Sequence, residues 1–128
     1  MDKMATFVSI AKKNNQHVIF VLFDDCWKPE YHLGQQPEPT PGVHNSQWVQ
    51  CPGTVPIQEA ILQNYVTKIL TRFKSDENVV LWDLYNEVGN SKHGVKSLPL
   101  LRKIFQWARA VNPSQPLSSC HWVADIEY

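Results

Sequence analysis

Apolar residues Met4, Phe7, Val8 and Ala11 recur at spacings of three and four, which predicts a helix; Lys12, Lys13, Asn14 and Asn15 form its polar, cationic end. His17-Val-Ile-Phe-Val-Leu-Phe23 follows as an unbroken β-branched and aromatic run and predicts a strand buried on both faces of a parallel sheet. Pro56 opens a second helix whose residues Ile57, Ile61, Tyr65, Ile69 and Phe73 repeat every four positions, with Leu62, Val66 and Leu70 widening the stripe. After the polar turn Lys74 to Asn78, Val79-Val-Leu-Trp-Asp-Leu-Tyr85 predicts a second buried strand, ending on Asn86-Glu87. A loop from Val88 to Lys96 leads to Ser97, the expected N-cap of a third helix. That helix carries Pro99 in its first turn and Leu98, Leu101, Phe105, Ala108 and Val111 on one face. Asn112-Pro113 stops it, and Gln115 to Trp122 predicts a third, shorter strand. Alternating helices and strands predict an α/β fold with parallel strands joined by helical crossovers.

The periodicity vanishes from Trp27 to Val55, and residues 28–55 form a long Pro-rich loop containing Pro29, Pro37, Pro39, Pro41 and Pro52. A connection of this length is either a functional loop or a spacer. Trp27, Tyr31, Trp48, His32 and His44 within it favour an ordered functional loop, because spacers are poor in aromatics.

Composition narrows the function classes. Twelve basic and twelve acidic side chains cancel, which removes the footprint expected of a nucleic-acid or anionic-membrane partner. The apolar runs are far shorter than the roughly 18 to 20 residues of a membrane span, and Met1-Asp2-Lys3-Met4 lacks a signal-peptide core. Three cysteines are too few for a disulfide scaffold. Cys26 and Cys51 bracket the long loop: they would pair in an exported protein and stay free in a reducing compartment. No H-x3-H or H-E-x-x-H spacing points to a metal, and no phosphate-binding Gly-rich loop points to a nucleotide, so neither metal nor other cofactor is expected.

Polar groups gather where each strand ends: Asp24, Asp25 and Trp27 after the first, Asn86 and Glu87 after the second, His121 and Trp122 after the third. Parallel α/β sheets bind ligands at this C-terminal edge. The segment Trp82-Asp-Leu-Tyr-Asn-Glu-Val-Gly-Asn90 resembles the fourth-strand signature of the (β/α)8 glycoside hydrolases, cellulase family 5 and its relatives. The usual Pro after the Glu is replaced here by Val88. Phe20-Val-Leu-Phe-Asp-Asp-Cys-Trp27 and its Pro-rich loop are also similar to bacterial members of this group.

The resemblance implies a partial TIM (β/α)8 barrel: residues 1–128 would be one incomplete catalytic domain running from helix two to strand five. It implies Glu87 as general acid/base and Asn86 as the ligand of the sugar 2-hydroxyl, with a β-linked oligo- or polysaccharide as substrate. Such an acid must hold its proton near neutral pH, and Tyr85 and Trp82 are expected in its surroundings. Retaining chemistry needs a second carboxyl group about 5 to 5.5 Å away, in this family a Glu ending strand seven. Neither Asp125 nor Glu127 matches that motif, so the isolated chain is expected to be inactive. The family also suggests a secreted or periplasmic setting.

Other readings stand beside these. Either one of Asp24 and Asp25 lines the sugar cleft or both only form the turn. Trp27, Trp48 and Trp122 suit stacking on pyranose rings or plain packing. Trp82 and Trp107 are expected to be structural and His17 to lie at the surface. His121 lies on the promising edge, whereas His32, His44 and His93 suggest no site. The chain as a whole fits a non-catalytic carbohydrate-binding remnant or a self-contained flavodoxin-like domain as alternatives. The barrel-segment reading further predicts exposed strand edges and self-association.

Overall fold

The computed structural model describes residues 2–25, 41–42, 56–90 and 94–122. The expectations for Cys26, Trp27, His32, His44, Trp48, Cys51, His93, Asp125 and Glu127, and for nearly all of the long loop, lie outside these residues.

Among the described residues three helices and three parallel strands alternate: α1 (Asp2–Lys13), β1 (Val18–Val21), α2 (Pro56–Phe73), β2 (Val79–Asp83), α3 (Leu98–Val111) and β3 (Leu117–Ser118). The strand order in the sheet is β1-β2-β3, and both pairings are parallel. A short 3-10 turn, Gly94–Ser97, leads into α3. Among the described residues no helix is long and apolar enough to cross a membrane.

Local chemistry explains the helix ends. Asn15 closes α1 in the left-handed region at φ 54°, which lets the Gln16 N–H reach back to the Ala11 carbonyl at 2.9 Å. Asn112 does the same for α3 at φ 55°, donating to Ala108 and Arg109, and Pro113 follows it. Ser97 stands at the N-cap of α3 as expected, but its side chain makes no cap bond. Its hydroxyl is drawn instead to Asp25, 72 residues away in sequence.

The helix-side face of the sheet is aromatic. Phe20 of β1 stacks on Trp82 of β2 at 5.5 Å and meets Phe7 of α1 and Phe73 of α2 at 6.5 and 5.7 Å. Helix α3 packs beside α2 through Leu100, Leu101, Ile104 and Ala108, and Lys103 pairs with Glu59 across them at 2.6 Å. That pair is well exposed and contributes little. As expected, Trp82 is structural: its indole N–H donates to Gln115 at 3.1 Å. Gln115 in turn donates to the carbonyls of Phe73 and Asp76, tying the start of β3 to the α2–β2 turn at the N-terminal edge of the sheet. Trp107 packs against the same core, and His17 is at the surface.

Two burial expectations are corrected. β1 is covered on one face only: Val18 is buried, whereas Ile19 and Val21 are 57% and 49% exposed. Strand side chains alternate between faces, and an unbroken apolar run does not reveal that one face is bare. β2 likewise leaves Val80 exposed, where it is the extra residue opposite the Val18–Ile19 step. In α2 the buried stripe is Leu62, Val66, Ile69, Leu70 and Phe73, and Ile61 is 45% exposed. Residues four apart overshoot a full turn by about 40°, so a four-residue row drifts off the buried side.

Candidate functional site

The sheet continues past the regular strands toward its C-terminal edge. Beyond β1 and β2 the Asn86 N–H donates to the Phe23 carbonyl at 2.8 Å and the Asp25 N–H to the Asn86 carbonyl at 3.1 Å, so Asp24 bridges Asn86. On the other side Leu84 donates to Ser118 and Val88 to Cys120, so Val88 bridges His121. These ladders bring Asp24, Asn86 and His121 from three strand ends to one edge, with Glu87 in the turn between them.

Glu87 itself adopts φ 50°, an unusual conformation for a residue with a side chain. The turn is held on both sides: Asn90 donates its backbone N–H to the Glu87 carbonyl at 2.9 Å and its amide Nδ2 to Glu87 Oε2 at 2.7 Å. Glu87 and Asn86 are half-buried, while Val88 and Gly89 beside them are buried. Asn86 Nδ2 donates to Asp24 Oδ2 at 3.2 Å, leaving the second amide hydrogen and the Asn86 side-chain oxygen as groups for a ligand hydroxyl. His121 is exposed, and Trp122 presents 58% of its surface.

Asp25 is a correction. Predicted as a cleft or turn residue, it lies in the interior at 1% exposure, and both of its oxygens are engaged. Oδ1 accepts from the Tyr85 hydroxyl at 2.5 Å, and Oδ2 accepts from the Gly89 N–H at 2.9 Å and from the Ser97 hydroxyl. One carboxyl group therefore clamps both ends of the segment 85–89 that carries Glu87, and ties it to the start of α3. The Tyr85 hydroxyl donates to Asp25 and the Trp82 indole N–H to Gln115.

No match to this chain is found among family models, curated proteins or solved structures. The chemistry of the edge therefore rests on its own groups. Among the described residues no three His, Cys, Asp or Glu side chains are grouped as a metal ion would require.

Asp83 is a group that sequence reasoning passed over, although a lone acid inside an apolar strand is itself a signal. It is buried beside the exposed thiol of Cys120, and its Oδ1 has no hydrogen-bond partner. Burial pushes the Asp83 carboxyl above its ordinary 3.8, against the opposing pull of hydrogen bonds from the Cys120 thiol and from the backbone of Tyr85 and Cys120. The charge of Asp83, then burial and the shared hydrogen bond, push the Cys120 thiol above its ordinary 9.0.

A raised folded-state value means that the folded chain binds the Asp83 proton more tightly than the unfolded chain does. Stability from this group is thus fully present below about pH 4 and is lost as pH rises through the folded value. Asp83→Asn is expected to raise Tm at pH 7, with the gain shrinking to nothing below about pH 4. The same variant removes the charge that holds the thiol protonated, so iodoacetamide should alkylate Cys120 several-fold faster at pH 8. Unchanged alkylation and an unchanged melting profile would show that the two groups are not coupled.

Proposed function

We propose that this chain is a segment of a retaining (β/α)8 glycoside hydrolase acting on β-linked polysaccharide of the glucan, xylan or mannan type. Glu87 is its general acid/base. The observation that carries the reading is the placement of Asn86-Glu87 at the C-terminal edge of a parallel sheet, where the ends of the two neighbouring strands are bridged to it. Sequential strand order with helices against one face also favours a barrel wall over a doubly wound flavodoxin-like sheet, which carries helices on both faces.

In this reading the saccharide lies across the edge. Asn86 hydrogen-bonds the 2-hydroxyl, and Asp24 fixes the Asn86 amide rather than contacting the reaction centre. Glu87 delivers its proton to the leaving oxygen, and the clamp from Asp25 together with Asn90 keeps its turn in place. Trp122 and His121 flank the sugar. Only the acid/base half of the catalytic pair is matched in these 128 residues, so the second carboxyl group would come from elsewhere in the barrel.

The test has two arms. Titration of the chain with β-linked oligosaccharides, followed by NMR, is expected to shift the signals of Asn86, Glu87, His121 and Trp122 with no turnover of activated aryl β-glycosides. In a longer polypeptide that contains this segment and a downstream strand ending in Glu, Glu87→Gln is expected to lower kcat on polysaccharide by at least about a hundredfold. Undiminished hydrolysis in that variant would sink the assignment. The exposed Trp122 supports the second reading, a binding remnant: saccharide binding by the chain, with no hydrolysis by any longer polypeptide that contains it, would favour that reading.

A further inference from the structure

Val88 and Gly89 are the central residues of a tight turn closed by the Asn90 N–H on the Glu87 carbonyl at 2.9 Å. Gly89 stands at φ 92°, the left-handed conformation that the third position of a type II turn requires. The turn is anchored along its length. Val88 donates to the Cys120 carbonyl at 3.0 Å and accepts from the Trp122 N–H at 3.2 Å. Gly89 donates to Asp25 Oδ2 at 2.9 Å, and its carbonyl accepts from the Gly94 N–H at 3.0 Å. Asn90 is therefore delivered to a fixed place beside Glu87, where its amide Nδ2 donates to Glu87 Oε2 at 2.7 Å. That length lies at the short end for an N–H donor and is typical of a bond to a carboxylate. Among the described residues nothing donates to the other oxygen, Oε1.

We infer that Asn90 is the positioning residue of the acid: it fixes the Glu87 carboxyl group so that the transferable proton is carried on Oε1. The inference rests on the hydrolase reading and adds to it which oxygen acts. A protonated carboxyl group is asymmetric, with a carbonyl oxygen that accepts well and a hydroxyl oxygen that donates. An amide hydrogen held against Oε2 makes Oε2 the carbonyl oxygen, so the hydroxyl falls on Oε1, which no described residue occupies. In the step itself the bond between the anomeric carbon and the leaving oxygen breaks, and its electron pair stays with that oxygen. The leaving oxygen takes the proton from Oε1, and the O–H electron pair stays on Glu87. The carboxylate left behind keeps the Asn90 bond, which becomes charge-assisted and strengthens as the charge develops. No reorganisation is needed at that moment, because the anchored turn already holds the amide in place.

The leaving group separates this role from plain support of the turn, because a dinitrophenolate departs without a proton whereas a sugar alcohol does not. In the longer polypeptide, Asn90→Asp keeps the size and turn preference of the residue and replaces the donor with an acceptor. It is expected to lower kcat/KM on β-linked glucan, xylan or mannan, whichever is cut, by about tenfold to a hundredfold. On the matching dinitrophenyl β-glycoside kcat/KM should stay within about twofold, and Asn90→Ala should show the same contrast. In the 128-residue chain the NMR signal of one Asn90 Nδ2 hydrogen is expected downfield of a free amide and should move back in Glu87→Ala. Equal losses on both substrates would reduce Asn90 to a support of the turn. That result, no loss on either substrate, or an amide signal indifferent to Glu87→Ala would overturn the inference. Undiminished hydrolysis by Glu87→Gln sinks the hydrolase reading and the inference with it, whereas the expected loss in Glu87→Gln beside any of those three results sinks the inference alone.

Discussion

Asp25→Ala is expected to cost on the order of 4 kcal/mol of folding stability, a large fraction of the roughly 5 to 15 kcal/mol by which a domain is stable. The side chain is buried and accepts from Tyr85, Gly89 and Ser97. Truncation strands three buried donors, and each unsatisfied group costs about 1 to 3 kcal/mol. Ser97→Ala leaves Oδ2 served by the Gly89 N–H, so about 1 kcal/mol is expected, whereas Tyr85→Phe leaves the buried Oδ1 without its donor and should cost about 1 to 3 kcal/mol. Urea unfolding of the four proteins checks this. If Asp25→Ala is no worse than Ser97→Ala, the carboxyl group is not the hub that the geometry makes it. A survivor of the Ala substitution should also show faster amide exchange at Gly89 and Asn90, because the Glu87 turn loses its anchor.

The second large effect is expected at Trp82. Trp82→Ala should cost about 3 to 5 kcal/mol, because the indole is fully buried among Phe20 and Phe73 and its removal opens a cavity under the sheet. Trp82→Phe keeps much of the packing but strands the Gln115 carbonyl oxygen, at about 1 to 2 kcal/mol. Thermal unfolding of both variants beside Gln115→Leu separates the packing loss from the hydrogen bond. Equal losses for Trp82→Ala and Trp82→Phe would mean that the ring packing contributes nothing.

The identity and order of the elements were legible because their signals are local. Apolar spacing marked α1 and α3, Asn112-Pro113 marked the stop of α3, and the β-branched runs marked β1 and β2. The Asn86-Glu87 pair was legible as a strand terminus for the same reason, since a strand of that composition must end where polar residues begin. The side chains that support Glu87 were harder to read. Asp24 and Asp25 are identical neighbours in the sequence, yet one bridges Asn86 at the half-buried edge and the other is sealed inside. Consecutive strand residues face opposite ways, and which of the two faces meets donors depends on what packs there.

Local periodicity and turn chemistry thus determined three helices, three parallel strands and a carboxylate at the end of the middle strand. Tertiary structure alone decided that β1 has a bare face, that Ser97 serves Asp25 rather than its own helix, and that Asp83 is buried beside Cys120. The physical reason is separation along the chain. The donors that satisfy Asp25 lie 60, 64 and 72 residues away, and such partners exist only once the strands have been brought side by side.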